Sequence, residues 1–394
     1  MEKKKICLVV QRYGLEINGG AEQHCRMLAE RMLPFYDVEV LTTKAVDYMT
    51  WADEYTEDLE VLNGVKVRRF SVVKTRDKET FDEVNYRFHN NMLKRSEEQE
   101  WIDKQGPYVP NMISYIREHK NDYEAFLFFT YLYYPTAMGI KEVYDKAIVF
   151  SLAHDEPYLQ MKIFDDVFLK PRAFFFNTEE ERRLVRRKYR NYSVPYMIGG
   201  VGVDIPEHVD GEAFKKKYGL DNYIVYVGRI DEGKNCSEMF EYFERYKKSH
   251  PGDVKLVLMG KAVIPVPKRK DIVELGFVSD EDKFNGMAGA EFLLLPSKFE
   301  SLSMVVLESF GVKTPVLVNG ECEVLKAHCR KSHGGYYYTS YNDFEIKVGK
   351  LLSYNDLRKK MGQRGAIYLK KNYQWDLICR KLSYLIESII ENNT

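Results

Sequence analysis

Arg229 and Lys234 stand five residues apart in Val227-Gly228-Arg229-Ile230-Asp231-Glu232-Gly233-Lys234-Asn235. A planar guanidinium fork and a mobile ammonium on one glycine-bounded turn can grip a diphosphate. The same turn admits a plainer reading, a solvated loop on which Arg229 pairs with Asp231 or Glu232. Further on, Glu300 and Glu308 have seven residues between them in Leu295-Pro296-Ser297-Lys298-Phe299-Glu300-Ser301-Leu302-Ser303-Met304-Val305-Val306-Leu307-Glu308. Ser301 and Ser303 are N-cap candidates for a helix whose first-turn amides would add partial positive charge beside the two cations. Glu308 falls within that helix next to Val305, Val306 and Leu307, and a buried carboxylate is costly alone, so a polar partner is expected. Near the start, Gly19-Gly20-Ala21-Glu22 follows an apolar strand and opens a helix, a second place for an anion or for a tight turn. No G-x-G-x-x-G stands there, so the dinucleotide fingerprint is missing.

These residues need strand ends to carry them. An apolar strand, a loop and an amphipathic helix recur along the first half, with strands at Ile6–Val10, Val38–Thr42, Ala125–Phe129, Ala147–Leu152, Ala173–Phe176 and Tyr196–Ile198. The helix at about Ala21–Leu33 sets Cys25, Leu28, Ala29 and Met32 on one face. Between about Lys74 and Asp122 polar helices interrupt this pattern, with a break at Gln105-Gly106-Pro107, and read as an insertion. A hinge is expected at Gly199-Gly200-Val201-Gly202-Val203-Asp204-Ile205-Pro206, where glycines loosen the backbone. Alternation then resumes, with strands at Tyr223–Val227, Val254–Met259, Ile272–Glu274, Phe292–Leu295 and Pro315–Val318. The fold class expected is α/β: two doubly wound parallel-sheet domains facing across a cleft at the carboxyl ends of their strands. The first domain would span 1–200, with the terminal helix at about 375–394 packing back on it, and the second 201–374.

At 394 residues the chain exceeds one domain of roughly 150. Its 59 basic and 59 acidic residues exclude bulk polyanion binding, so no nucleic acid partner is expected. A hydrophobic share of 45% excludes a disordered chain. The basic start at Met1-Glu2-Lys3-Lys4-Lys5 precedes an apolar run too short for a signal peptide. The uncharged stretch Ala125–Ile140 is too short, and too interrupted by Pro135, to span a bilayer. Six cysteines without a CxxC pair point to a reduced, cytoplasmic protein.

Gly19-Gly20-Ala21-Glu22, Gly228-Arg229 with Lys234-Asn235, and Glu300 ahead of Glu308, in this order, resemble the retaining GT-B glycosyltransferases of glycosyltransferase family four, which use nucleotide-sugar donors. Lesser matches are His154-Asp155, Asn177-Thr178-Glu179 and the hinge Gly200-Val201-Gly202-Val203-Asp204. The resemblance covers most of the chain. It implies that Arg229 and Lys234 bind the donor diphosphate, with Gly228 in their turn, and Glu308 the ribose hydroxyls. Glu300 and the amides of Ser301, Leu302 and Ser303 would hold the transferred sugar and phosphate, Gly19 and Gly20 the other side of the diphosphate, and His154 the sugar or reacting centre. The acceptor implied is a hydroxyl on a saccharide, a lipid-linked molecule or another carrier, in bacterial surface polysaccharide or glycoconjugate synthesis. No metal is expected, because cations and helix starts already supply positive charge at the phosphates. Members often carry Gly-Phe-Gly after the first Glu; Ser301-Leu302-Ser303 here implies a narrower sugar pocket. Rival readings are a GT-B epimerase or phosphorylase, a non-catalytic nucleotide-sugar binder, and a Rossmann dehydrogenase, the last disfavoured by the missing fingerprint.

Three further groups carry alternatives. Cys322, His328, Cys329 and His333 fit no standard zinc spacing. Arg182, Arg183, Arg186, Arg187, Lys188 and Arg190 read either as a solvated helix paired with Glu179–Glu181 or as contact with an anionic membrane's inner face or a lipid-linked acceptor. Tyr131, Tyr133 and Tyr134 read as core or as the lining of an acceptor groove.

Overall fold

A computed structural model describes residues 3–17 and 19–391; Met1 and Glu2 of the basic start, Asn18 of the loop before Gly19, and Asn392–Thr394 at the end of the expected terminal helix lie outside the described residues. The chain forms two units, 1–200 with 375–394, and 201–374.

Unit 1 is built on β1 (Lys5–Val9), β2 (Asp37–Thr43), β3 (Leu59–Leu62), β4 (Val65–Phe70), β5 (Ala125–Phe129), β6 (Ala147–Phe150), β7 (Ala173–Phe176) and β8 (Tyr196–Ile198). They form one sheet in the order β3-β4-β2-β1-β5-β6-β7-β8. Every pairing is parallel except β3 with β4. Central strands buried on both faces need continuous apolar runs, and Ala125-Phe126-Leu127-Phe128-Phe129 is buried throughout. The hairpin β3–β4, absent from the strands expected above, turns through Asn63-Gly64, both at positive φ (48° and 84°). That dipeptide suits the tight turn whose twist matches its flanking strands.

The 74–122 segment adds no strand. Its helices Lys78–His89, Glu98–Gln105 and Pro110–His119 bury Val84, Trp101, Ile102, Met112 and Ile116 in one cluster with Phe126 and Phe128 of β5. A polar surface helix needs only one apolar stripe to become a core layer, so the segment is part of the unit 1 core rather than an appendage. The helix Trp375–Glu391 closes the same unit. It buries Trp375, Ile378, Leu382, Leu385 and Ile389, and its Glu387 carboxylate accepts from Tyr36 Oη at 2.9 Å.

Unit 2 holds β9 (Tyr223–Val227), β10 (Lys255–Met259), β11 (Ile272–Gly276), β12 (Phe292–Leu295), β13 (Val316–Asn319) and β14 (Gly335–Tyr338), all parallel. Their order, β11-β10-β9-β12-β13-β14, reverses direction between β9 and β12. Loops leaving neighbouring strands part at such a point and open a crevice at their carboxyl ends. The edge strand β14, tyrosine-rich and half-buried, was not among the strands expected from hydrophobic runs. No helix among the described residues is long and apolar enough to cross a membrane.

Trp101 tests the place of the 74–122 segment, since its ring lies 5.1 Å from Tyr158 and 6.3 Å from Phe164, both outside the segment. Trp101→Ala is expected to destabilise unit 1 by about 3–5 kcal/mol in urea unfolding, the cost of a cavity left by a buried aromatic. A loss under about 1 kcal/mol, as surface changes give, would mean that the segment lies outside the core.

Candidate functional site

The loop after β9 carries Gly228, Arg229 and Lys234, the loop after β12 carries Glu300, Ser301, Leu302 and Ser303, and Glu308 lies on the helix beyond. Gly228 and Gly260 sit at φ +146° and +143°. A Cβ on Gly260 would stand 2.0 Å from the Gly228 carbonyl, so the loops after β9 and β10 meet backbone to backbone. Gly228 N donates to Met259 O at 2.9 Å and Ile230 N to Lys261 O at 3.0 Å. Arg229 is lifted on this rigid pair, its carbonyl held by Tyr226 Oη at 2.6 Å.

Asp231 organises the turn. One carboxylate oxygen takes the Arg229 Nε, as the plainer reading expects, and the other accepts from Lys234 N at 2.8 Å. Lys234 Nζ then reaches Glu300 Oε1 at 2.7 Å. Asn235 follows at φ 58° and opens the helix Cys236–Ser249. Its Nδ2 donates to Pro296 O at 3.2 Å, and Asn319 Nδ2, at the end of β13, donates to the same carbonyl at 3.1 Å.

The helix Met304–Gly311 begins at Ser303, which sits in the left-handed region (φ 70°) and makes no side-chain cap. Capping needs an extended residue whose hydroxyl folds over the first amides; at positive φ the Ser303 Oγ is turned away and is buried with no hydrogen-bond partner among the described residues. The expected Ser303 cap is therefore corrected. The first turn keeps its amides for another acceptor, at a strain of roughly 1–2 kcal/mol for a non-glycine residue. Glu308 finds its partner in Lys283, on the helix Asp280–Gly289, at 2.9 Å. Burial opposes the Lys283 charge, yet Glu308 and Asp280 outweigh it and raise the ammonium's pKa. The sequence offered no signal for Lys283 beyond its being a lysine in a helix.

Cys322, His328, Cys329 and His333 do not converge: His328 Nε2 contacts Leu302 O at 2.7 Å and Cys329 Sγ contacts Tyr336 O at 3.4 Å. Among the described residues no group of three His, Cys, Asp or Glu side chains is placed to hold a metal ion.

In unit 1 the sheet order reverses between β1 and β5. Gly19 ends the loop after β1, and the helix Gly20–Met32 starts without a side-chain cap. A Cβ on Gly19 would meet Glu22 Oε2 at 2.1 Å, whereas one on Gly20 would meet nothing within 4 Å. Glu22 cannot yield easily, because Arg12 Nη2 holds its Oε1 at 2.6 Å. His154, beyond β6, stands 3.4 Å from Glu156 Oε1, which also accepts from Tyr131 Oη at 2.5 Å. Burial holds the Glu156 carboxyl above the usual range. Tyr131 and Tyr134 are core residues; Tyr133 is half-buried and packs edge-on against Trp51 at 5.4 Å. Arg182 and Arg183 pair with Glu179, as the solvated-helix reading expects.

The His154 loop has an organiser that sequence reasoning assigned elsewhere. Glu181, counted above among acids facing the basic helix, is buried at 1% exposure. It accepts from Ser151 Oγ at 2.6 Å, Ala153 N at 3.0 Å and Asn177 N at 2.8 Å. Thr178, three residues earlier, caps the helix through Glu181 N at 3.1 Å. The S/T-x-x-E spacing of a capping box was the available signal.

Residues 210–367 match the family Glycosyl transferases group 1. The chain is 31% identical over 106 residues to the N-acetylgalactosamine-N,N'-diacetylbacillosaminyl-diphospho-undecaprenol 4-alpha-N-acetylgalactosaminyltransferase of Campylobacter jejuni, covering 25% of this chain and 27% of that protein. It is 24% identical over 222 residues to the alpha-D-kanosaminyltransferase of Streptomyces kanamyceticus, covering 50% of this chain and 55% of that one. The matches thus span about a quarter to a half of these curated relatives. In fold, the chain is similar to a sucrose-phosphate synthase from Thermosynechococcus elongatus (TM-score 0.72, 14% identity, 99% of this chain and 100% of the other). It is also similar to Anabaena HepE solved with UDP and glucose (TM-score 0.70, 12% identity, 98% and 100%).

Burial pushes the Glu181 pKa from 4.5 up to about 7, against the donors that favour its charge. Across that interval the folded chain keeps a proton that the unfolded chain has released, so this group makes stability fall as pH rises. Glu181→Gln cannot titrate. Its melting temperature, followed by scanning fluorimetry between pH 4.5 and 7.5, is expected to lack the part of the decline that wild type shows over that interval. Parallel curves would count against a protonated Glu181.

Proposed function

We propose that this chain, which carries a Glycosyl transferases group 1 domain at residues 210–367, transfers a sugar from a nucleoside diphosphate sugar to an acceptor hydroxyl with retention of anomeric configuration and without a metal ion. The observation that carries this reading is the chain of contacts in which Asp231 joins Arg229 to Lys234 and Lys234 reaches Glu300, three residues before the uncapped helix start at Ser303. In the reaction the bond from the anomeric carbon to the diphosphate oxygen breaks and one to the acceptor oxygen forms. The acceptor proton passes to the departing phosphate oxygen on the same face. Negative charge grows on that oxygen as the bond lengthens, and fixed cations accelerate the step to the degree that they bind the transition state more tightly than the ground state.

Arg229 and Lys234 take the diphosphate in this reading, exchanging their present carboxylate partners for phosphate oxygens. Glu300, released by Lys234, faces the sugar hydroxyls with the amides of Ser301, Leu302 and Ser303. Glu308, paired with Lys283, accepts from the ribose. On unit 1 the same reading assigns Gly19 and Gly20 to the diphosphate and His154 to the reacting sugar. The name of the Campylobacter relative supports a lipid-linked acceptor. Arg183, Arg187 and Lys188, on the outer face of the helix Glu179–Tyr189, would then contact the acceptor's phosphates or an anionic membrane surface.

Release of nucleoside diphosphate from a panel of nucleotide sugars tests the reading. Arg229→Ala and Lys234→Ala are each expected to lower turnover by about a hundredfold, roughly the 3 kcal/mol that one preorganised donor supplies, with the circular dichroism spectrum intact. Turnover should persist in excess EDTA, and proton NMR of the first product should show the donor's anomeric configuration. Unchanged turnover in both variants would remove the diphosphate assignment; an inverted anomer, or activity lost in EDTA and restored by Mg²⁺, would remove the mechanism.

A further inference from the structure

His328 is 2% exposed, and its imidazole has no part in the chemistry described so far. It lies on the helix Glu323–Ser332 after β13, and its Nε2 is 2.7 Å from the carbonyl oxygen of Leu302. A carbonyl can only accept, so Nε2 carries the proton. Nδ1 of a neutral ring is then an acceptor, which makes Tyr368 Oη, 3.2 Å away, the donor to it. Tyr373 Oη, a further 3.2 Å on, supplies the hydrogen bond to Tyr368. With the ring neutral, these hydrogen bonds run one way, from Tyr373 to Leu302. The same helix grips the loop at a second point: Cys322, at its N-cap, places Sγ 3.9 Å from the carbonyl of Glu300.

One helix therefore fixes the backbone on both sides of Ser301. The peptide bond is planar and trans, so its C=O and N–H point in opposite directions. Tying the Leu302 carbonyl to His328 turns the Ser303 N–H the other way. Ser303 is held at φ 70° in the left-handed region, a conformation that persists for a non-glycine residue only where its surroundings over-determine it. Two tethered carbonyls and the buried Leu302 side chain provide that determination.

We propose that His328 is a positioning residue for the donor: through Leu302 it aims the Ser303 amide, and with it the first turn of Met304–Gly311, at the phosphate of a nucleoside diphosphate. The inference rests on the donor reading above and adds a residue to it. An imidazole suits the task because it is rigid and presents a donor to the loop while its other nitrogen is anchored from behind. A leucine of similar bulk would preserve the packing and leave the Leu302 carbonyl unpaired, free to rotate its peptide.

Calorimetric titration of UDP, GDP and dTDP, each against its own nucleoside, tests this in full-length protein. For the diphosphate that binds tightest, His328→Leu is expected to lower affinity about tenfold while nucleoside affinity stays within about twofold, the size of one lost hydrogen bond to a charged group. His328→Gln, whose amide can still donate to Leu302, should recover most of the loss. Tyr368→Phe, which removes the anchor and leaves the ring, should lower the same ratio by about threefold and serves if His328→Leu does not fold. Equal falls for diphosphate and nucleoside would mean a packing role and overturn the proposal, as would an unchanged ratio in His328→Leu alongside a reduced ratio in Arg229→Ala. An unchanged ratio in Arg229→Ala as well would instead remove the donor reading on which the inference stands.

Discussion

The carbonyl of Pro296 holds the unit 2 crevice together. Where β9, β12 and β13 end side by side, their ladders stop and the loops diverge, leaving backbone groups that must find partners or water. Pro296 O accepts from Asn235, on the loop after β9, and from Asn319, at the end of β13. A single acceptor thus gathers the ends of neighbouring strands. Lys234 stands next to one donor and Ser297 next to the acceptor, so the spacing of the chemistry-bearing residues is inherited from this junction.

Charge in the crevice is arranged in pairs. Arg229 is engaged by Asp231, Lys234 by Glu300 and Lys283 by Glu308. An unpaired charge in a partly buried site would be costly, and the pairing offsets part of that cost. Under the donor reading proposed above, a diphosphate would compete with carboxylates already in place. In that reading affinity would reflect a difference between two sets of ion pairs, which favours discrimination over tightness.

The parallel strands were legible because buried strands demand long apolar runs, and Ala125–Phe129 or Phe292–Leu295 can do little else. The hairpin β3–β4 was hidden by the charges of Val65-Lys66-Val67-Arg68-Arg69-Phe70, although Asn63-Gly64 announced the turn. Edge strand β14 was missed because tyrosines, unlike valines, give no clear burial signal. At the candidate site the cations and glutamates were readable as residue types at fixed spacing. What holds them was not. Lys283 meets Glu308 and His328 meets Leu302 across 25 and 26 residues of chain, and spacing rules reach only within one turn or one strand. The Ser303 cap failed for a local reason: the hydroxyl was right and the backbone conformation was not.

Unit 1 is discontinuous, and vectorial synthesis gives that a consequence. A ribosome releases the eight strands of its sheet first, then all of unit 2, and only then the helix Trp375–Glu391. Unit 2 can complete its core as soon as its own residues have emerged, because none of them is borrowed from elsewhere. Unit 1 must wait through 174 intervening residues with the surface that will receive Trp375, Ile378, Leu382 and Ile389 still bare. During elongation that strip stays uncovered, and the domain made first is the last to be finished.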